Sequence, residues 1–466
     1  MFATIIDWLN TALYSYVLII LLILGGIYFT VRTRFAQFRL LGKQFKAVTE
    51  KNGSGVSSFQ ALMVSTASRV GTGNIIGVAT ALCVGGFGSV FWMWVIAIIG
   101  GATAFVESTL AQIYKKRGKD GCYGGPAYYI EAAFKGKKGV AILFTVFLIL
   151  TYGIGFNMLA SYNLQSTFST YSFYNADITP WIIGFVIAAL VCYCLMGGGK
   201  RIVSVTGVLV PIMGALYIVV ALVLVIINAK MLPDVFRQIF VGAFDFRAIF
   251  GGFGGSCVMY GIKRGLFSNE AGVGSAPNAA ASADIDHPVK QGLVQTLSVF
   301  IDTIVVCTAT AFMCMTSGVT PPTTSAEAAS YVQASLSVTL GGVGPIFITV
   351  AMVLFAFTTL LGNLFYVDKA INYLLGKEPT KLVRNICYVV ASLIIFVGAG
   401  LSADMLWNIA DVLMGGMTII NIPVILYLGK YAYRALRDYE HKSAEGLKMT
   451  FCKKDIGLTD ETDYWN

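Results

Sequence analysis

The chain is short of charge. Only 12% of its 466 residues are Asp, Glu, Lys or Arg, while 56% are hydrophobic. A water-soluble domain carries roughly 25% charged residues. Half of that cannot cover a hydrated surface, so lipid must be the solvent for most of this chain. Histidine is nearly absent: His287 and His441 are the two, and both fall in polar stretches. That excludes a histidine proton relay inside a membrane. There are nine cysteines but no Cys-x-x-Cys pair, and most lie within apolar runs. A zinc site or a disulfide framework is therefore not expected, and these thiols read as small buried hydrophobes. No Gly-x-Ser-x-Gly or His-Glu-x-x-His is present, so an intramembrane hydrolase has no nucleophile or metal to work with. The net charge of +9 does not point to nucleic acid, because the basic residues sit in short loops between apolar runs.

What is abundant is long apolar sequence, with a mean hydropathy of +0.74. A spanning helix needs about 20 apolar residues. The runs predict helices near 12–31, 58–84, 88–114, 140–163, 179–196, 203–228, 247–262, 290–316, 342–367, 384–401 and 405–429. The first is not a signal peptide: Asp7 precedes it, and Arg32, Arg34 and Arg39 follow it. Eleven crossings place alternate loops on opposite sides. With the N-terminus outside, 29 of the 33 Lys and Arg fall in cytoplasmic segments, against Lys230, Arg237 and Arg247 outside. That asymmetry is the positive-inside rule. Residues 430–466 are polar and charged, and read as a cytoplasmic extension.

Two predicted spans are interrupted. The second contains Ser65-Thr66-Ala67-Ser68-Arg69-Val70-Gly71-Thr72-Gly73-Asn74, and the seventh contains Gly251-Gly252-Phe253-Gly254-Gly255-Ser256. Close helix packing through Gly-x-x-x-Gly explains glycines, but not Arg69 beside Gly71-Thr72-Gly73-Asn74. Unwound backbone at membrane depth is tolerated only beside protein or a watery cavity. With the first helix set aside, the interrupted spans open two five-helix halves, 58–228 and 229–429, and enter from opposite sides. Residues 1–57 then hold an extra helix and a basic loop. Paired breaks in oppositely oriented halves mark an inverted-repeat transporter with its site at the midplane. A half-helix starting near Thr72 would aim free N–H groups at a carboxylate. Freed carbonyls and hydroxyls would suit a hard cation such as Na⁺. A passive channel is the rival reading, and the asymmetry of the breaks argues against a pore ring.

Three motifs resemble a known family. Ser68-Arg69-Val70-Gly71-Thr72-Gly73-Asn74-Ile75-Ile76-Gly77-Val78-Ala79, Lys263-Arg264-Gly265-Leu266-Phe267-Ser268-Asn269-Glu270-Ala271-Gly272-Val273-Gly274-Ser275-Ala276-Pro277 and Gly124-Gly125-Pro126-Ala127-Tyr128-Tyr129-Ile130-Glu131 are similar to the signatures of the alanine or glycine:cation symporters. The resemblance runs over about residues 10–435. It implies an all-α LeuT-type fold of ten helices plus one. It also implies Na⁺- or H⁺-driven uptake of a small neutral amino acid across a bacterial or archaeal cell membrane. No obligate protein partner is evident, and the sodium ion would be a coupling ion rather than a resident cofactor. By motif, Gly71, Thr72, Gly73 and Asn74 would hold the substrate, with Asn157, Phe253, Gly254, Thr359 and Asn363 around it. Ala67, Val70, Asn74, Thr358 and Thr359 would offer oxygens to sodium. Many relatives carry glutamine where Ala160 stands and tryptophan where Asn363 stands. Both changes remove bulk, which suggests room for a larger, polar substrate such as serine or glutamine. Histidine-free, hydroxyl-rich breaks favour sodium, with proton coupling as the alternative.

Arg69, Glu107 and Asp302 fall inside predicted helices, where an unpaired charge costs several kcal/mol. The expectation is that Arg69 pairs with Glu107, Asp302 or Glu270, as an inner gate or as a fixed strut. Ser268-Asn269-Glu270 is expected to cap a short helix running to about Ala283.

Overall fold

The computed structural model describes residues 2–50, 55–118, 121–245 and 256–465. Helices dominate, and their order follows the apolar runs. The first, α1, spans Thr4–Arg32. A bent pair follows, α2 (Ser58–Arg69) and α3 (Gly73–Gly85), meeting at 50°. Then come α4 (Ser89–Ile113), a short hairpin of β1 (Lys116–Gly118) and β2 (Gly121–Tyr123), and α5 (Pro126–Ala133). Next are α6 (Gly139–Ser166), α7 (Thr179–Leu195), α8 (Gly198–Ile227) and α9 (Leu232–Ala243). After the undescribed 246–255 lie α10 (Cys257–Asn269), α11 (Pro277–Ala280) and α12 (Pro288–Met315). The chain closes with α13 (Ala328–Leu340), α14 (Val343–Leu375), α15 (Lys381–Gly398) and α16 (Ala403–Ala444).

Eight of these helices are long and apolar enough to cross a membrane, and the bent α2–α3 pair makes a ninth. The protein is thus a multi-pass membrane protein. Burial explains the arrangement. In α8 only 28% of the apolar window is buried, and Leu216, Val219, Leu222, Val223 and Ile226 face outward as lipid would require. In α4 the buried share is 67% and in α12 it is 61%. These two pack side by side, with α1 and α10 against α4 and α2 against α12.

Local sequence sets the breaks. Ser57 starts α2 with a capping box: its hydroxyl accepts from the Gln60 N–H (3.1 Å), and Gln60 Oε1 accepts from the Ser57 N–H (2.9 Å). At the other end, Gly71 N–H turns to Asn74 Oδ1 at 2.7 Å instead of continuing the ladder to Ala67 O. A side chain that captures a backbone donor stops a helix. Wide i→i+5 turns recur in Gly73–Gly77, Ile149–Gly155 and Phe300–Cys307, in the helices that converge on this point. Such turns free backbone groups and concentrate at functional sites.

The predicted interruption at Gly251–Ser256, with Phe253 and Gly254, lies outside the described residues apart from Ser256, which caps α10 by accepting from Met259 N–H. A break is present further along. Glu270 ends α10 in the left-handed region (φ 54°), and Gly272 (φ 89°) and Gly274 (φ 87°) carry the chain through an unwound stretch to α11. Glu270 therefore terminates a helix and does not open one. Only glycine takes these two φ values without strain. Lys263 and Arg264, assigned to a loop by the charge count, are buried within α10.

Candidate functional site

The two breaks face one another. Ser68 Oγ, at the end of α2, lies 3.0 Å from Glu270 Oε1. It also lies 2.7 Å from Asn363 Oδ1 on α14, whose Nδ2 donates to Asn157 Oδ1 on α6 at 3.0 Å. Three helices and the second break are thus tied to one hydroxyl. The glycines of the first break admit close neighbours. A Cβ on Gly71 would sit 1.9 Å from Thr359 Oγ1, and one on Gly73 would sit 2.7 Å from the Phe267 ring. Phe267 packs against Phe156 (centroids 4.5 Å) and Trp407 (4.9 Å), which walls that side with aromatic rings.

Several buried polar atoms here lack a protein partner: Thr359 Oγ1, Asn157 Nδ2, Asn163 Oδ1 and Ser161 Oγ. Asn163 does donate to Thr72 Oγ1 (3.2 Å), which places it at the first break. Buried polar groups are nearly always satisfied, so a cluster of orphans in one place calls for a ligand or water. Thr359 Oγ1 beside Gly71, with the Ala67 carbonyl relieved of its helical donor, is an oxygen set that a hard monovalent cation fits. Thr358 contributes less directly, because its hydroxyl bonds its own turn at Leu354 O (3.0 Å) and Phe355 O (3.2 Å).

A second oxygen cluster was not anticipated. Asn74 Nδ2 donates to Asp302 Oδ1 at 2.7 Å, while Ser268 (2.5 Å) and Thr303 (2.8 Å) donate to Asp302 Oδ2. Asp302 is fully buried and every hydrogen-bond partner is neutral. Its role as a partner of Arg69 is not what the geometry gives. Ser268 and Thr303, hydroxyls set in otherwise apolar sequence, were the clue.

The expected ion pair is absent among the described residues. Arg69, 2% exposed, donates from Nη1 to Gln295 Oε1 at 3.1 Å, and its Nε and Nη2 are without partners. Glu107 instead accepts from Gly272 N–H (3.4 Å) and Asn421 Nδ2 (2.9 Å), and Glu270 accepts from Ser275 Oγ (2.7 Å). Both glutamates thus hold the unwound 270–275 segment. The physical reason is supply: freed N–H and hydroxyl donors at the break satisfy the carboxylates without a cation. The third motif joins them, since Tyr129 donates to Asn421 Oδ1 at 2.6 Å. A buried ion cluster does exist elsewhere. Asp411 meets Arg264 (2.5 Å) and Lys263 (3.4 Å), with Arg264 stacked 3.9 Å over Trp407. A groove of about 1260 Å³, lined by Tyr114, Glu131, Tyr373 and Asp460, lies at the surface and includes no residue of either break.

Two facing helix breaks lined with buried oxygens in a multi-pass helical bundle are the setting of a membrane transporter. The chain belongs to the Sodium:alanine symporter family, whose profile matches residues 1–453. It is 40% identical over 466 residues to the amino-acid carrier protein AlsT of Bacillus subtilis, covering 100% of this chain and 98% of that one. It is 40% identical over 461 residues to the probable sodium/glutamine symporter GlnT of the same organism, covering 98% and 94%. Its fold matches the crystal structure of MhsT in complex with L-phenylalanine with a TM-score of 0.60 at 16% identity, covering 83% and 93%. The fold is accordingly LeuT-type, and the protein is a transporter and not an enzyme.

Proposed function

We propose that this protein is a sodium-coupled symporter that takes up a small neutral amino acid by alternating access. The observation that carries the reading is the group of orphaned buried polar atoms, Thr359 Oγ1, Asn157 Nδ2 and Asn163 Oδ1, at the first break. In this reading Gly71, Thr72 and Gly73 present the start of a half-helix to the substrate carboxylate, and Asn157 and Asn363 face its side chain. Sodium takes Ala67, Val70 and Thr359 oxygens, with Thr358 in support. A second cation position uses Asn74, Asp302 and Ser268. The Asn157–Asn363 pair (3.0 Å) supports a substrate with a polar side chain, such as serine or glutamine. The reading keeps eleven crossings, with α7 and the α10–α11 stretch counted, in two inverted five-helix halves after an extra first helix. Glu107, Glu270 and Arg69 then border the inner gate. The N-terminus lies outside, and α16 ends in the cytoplasm of a bacterial or archaeal cell.

The test is uptake of labelled alanine into proteoliposomes, first under a sodium gradient and then under a pH gradient alone. Sodium-dependent uptake, competed by serine or glutamine, is the expected result. Asp302→Asn should raise the half-saturating sodium concentration about tenfold, the equivalent of about 1.4 kcal/mol. Uptake driven by pH alone would overturn the sodium assignment. One observation favours the proton as a second reading. Ser68 has a single proton but faces two acceptors, Glu270 Oε1 and Asn363 Oδ1. A proton on Glu270 would supply the missing donor.

A further inference from the structure

Residues 430–466 read as a polar cytoplasmic extension, yet 449–465 fold back onto one face of the helix bundle. Trp465 is 6% exposed and donates its indole N–H to Gln112 O, in the last turn of α4, at 2.7 Å. Phe451 packs edge-on against Trp465 (5.3 Å) and against His287 (5.1 Å). Tyr464 donates to Asp284 Oδ1 at 2.8 Å. Between them sits Lys115, fully buried, with its ammonium 3.8 Å from the Tyr464 ring centre and 4.8 Å from that of Trp465. The ammonium donates one hydrogen bond to Ala283 O at 3.0 Å. Two aromatic faces and a carbonyl thus replace the water this charge has lost, an arrangement that attracts most strongly when dry.

The docking point matters because of what it holds. Ala283 O also accepts from Gln112 Nε2 at 3.0 Å. Asp284 N–H donates to Val56 O at 2.9 Å, next to the Ser57 cap of α2. The segment Ala280–Asp284 follows the second break, and Val56 precedes the first broken helix. So one cluster of contacts pins the near end of both broken helices together. Opening the site toward this face requires those two ends to separate.

We propose that residues 449–465 are a strap that holds this face shut, with Tyr464 and Trp465 buckled onto Lys115. Lifting the strap frees the 276–285 segment from α4 and permits the inner opening. The inference rests on the transporter reading only in that this face must open. It does not depend on which solute or ion is carried.

The test is hydrogen–deuterium exchange on the full chain in nanodiscs without added substrate. It is read at residues 276–285 and, as an internal reference, in α13. Trp465→Ala and a chain ending at Lys448 should each speed exchange at 276–285 about tenfold, a shift typical of coupled sites, and leave α13 unchanged. Trp465→Phe should fall closer to the parent, because a ring face for Lys115 remains. Unchanged exchange at 276–285 in both Trp465→Ala and the shortened chain would overturn the proposal. Equal acceleration in α13 would also overturn it, since the segment would then be a general stabiliser.

Discussion

Gly71→Ala is the sharpest perturbation of the first break. The added Cβ would lie 1.9 Å from Thr359 Oγ1, 3.1 Å from Thr359 Cβ and 3.3 Å from its Cγ2. Ordinary contact starts near 3.4 Å, so either the break or α14 must move by more than an ångström at the hydroxyl. Neither is free to move. Gly362 on α14 would place its own Cβ 2.6 Å from Ser68 N, so the two backbones already touch. Overpacking of this kind costs about 1–3 kcal/mol. Spent at the site, the upper end would weaken apparent substrate or sodium affinity by about 150-fold. The assay is sodium-driven alanine uptake in proteoliposomes, with size-exclusion chromatography confirming folded protein. The double variant Gly71→Ala/Thr359→Ala keeps only the 3.1 Å contact with Thr359 Cβ, so it should recover folding and packing. It should not recover sodium dependence, because the hydroxyl is gone. Wild-type KM for both substrate and sodium in Gly71→Ala alone would refute the reasoning.

Two further outcomes test the surroundings of the site. Asp411→Asn leaves Lys263 and Arg264 buried without a countercharge. It should cost about 3–5 kcal/mol, read as a lower thermal midpoint in detergent, and adding Arg264→Met should recover part of it. His287 caps α12 and is buried against Asp438 (3.1 Å). Burial pulls its imidazole below its usual range despite the carboxylate. The unfolded chain then binds the extra proton first, so stability is full above about pH 6.5 and falls as pH drops below it. A thermal midpoint that declines between pH 7.5 and 5.5, and declines less in His287→Gln, is the expected measurement.

The first break was readable because its residues carry their own cause. Arg69-Val70-Gly71-Thr72-Gly73-Asn74 puts a capturing side chain three residues after a glycine, and Asn74 does take the Gly71 N–H. The break at Glu270 to Ser275 was not foreseen, while the predicted one at Gly251–Ser256 lies outside the described residues apart from Ser256. Glu270 to Ser275 was expected to open a capped helix, and Lys263 and Arg264 were counted in a loop. Their burial depends on Asp411, which lies 147 residues from Arg264 in sequence. The partners of Arg69 were misjudged for the same reason. Charge balance suggested a carboxylate, and Gln295 supplied a neutral oxygen instead.

The sequence by itself determined the solvent, the helical class, the family and the position of the first break. Each follows from composition, run length or a local motif, and none requires knowing what lies across the bundle. Tertiary structure alone decided which oxygens meet. The pairing of Asp302 with Asn74, the hold of Glu107 on the second break, and the docking of Trp465 beside Lys115 all join distant segments. A buried polar group takes whichever partner the packing brings within about 3 Å. That choice is set by how the helices stack, and no local pattern encodes it.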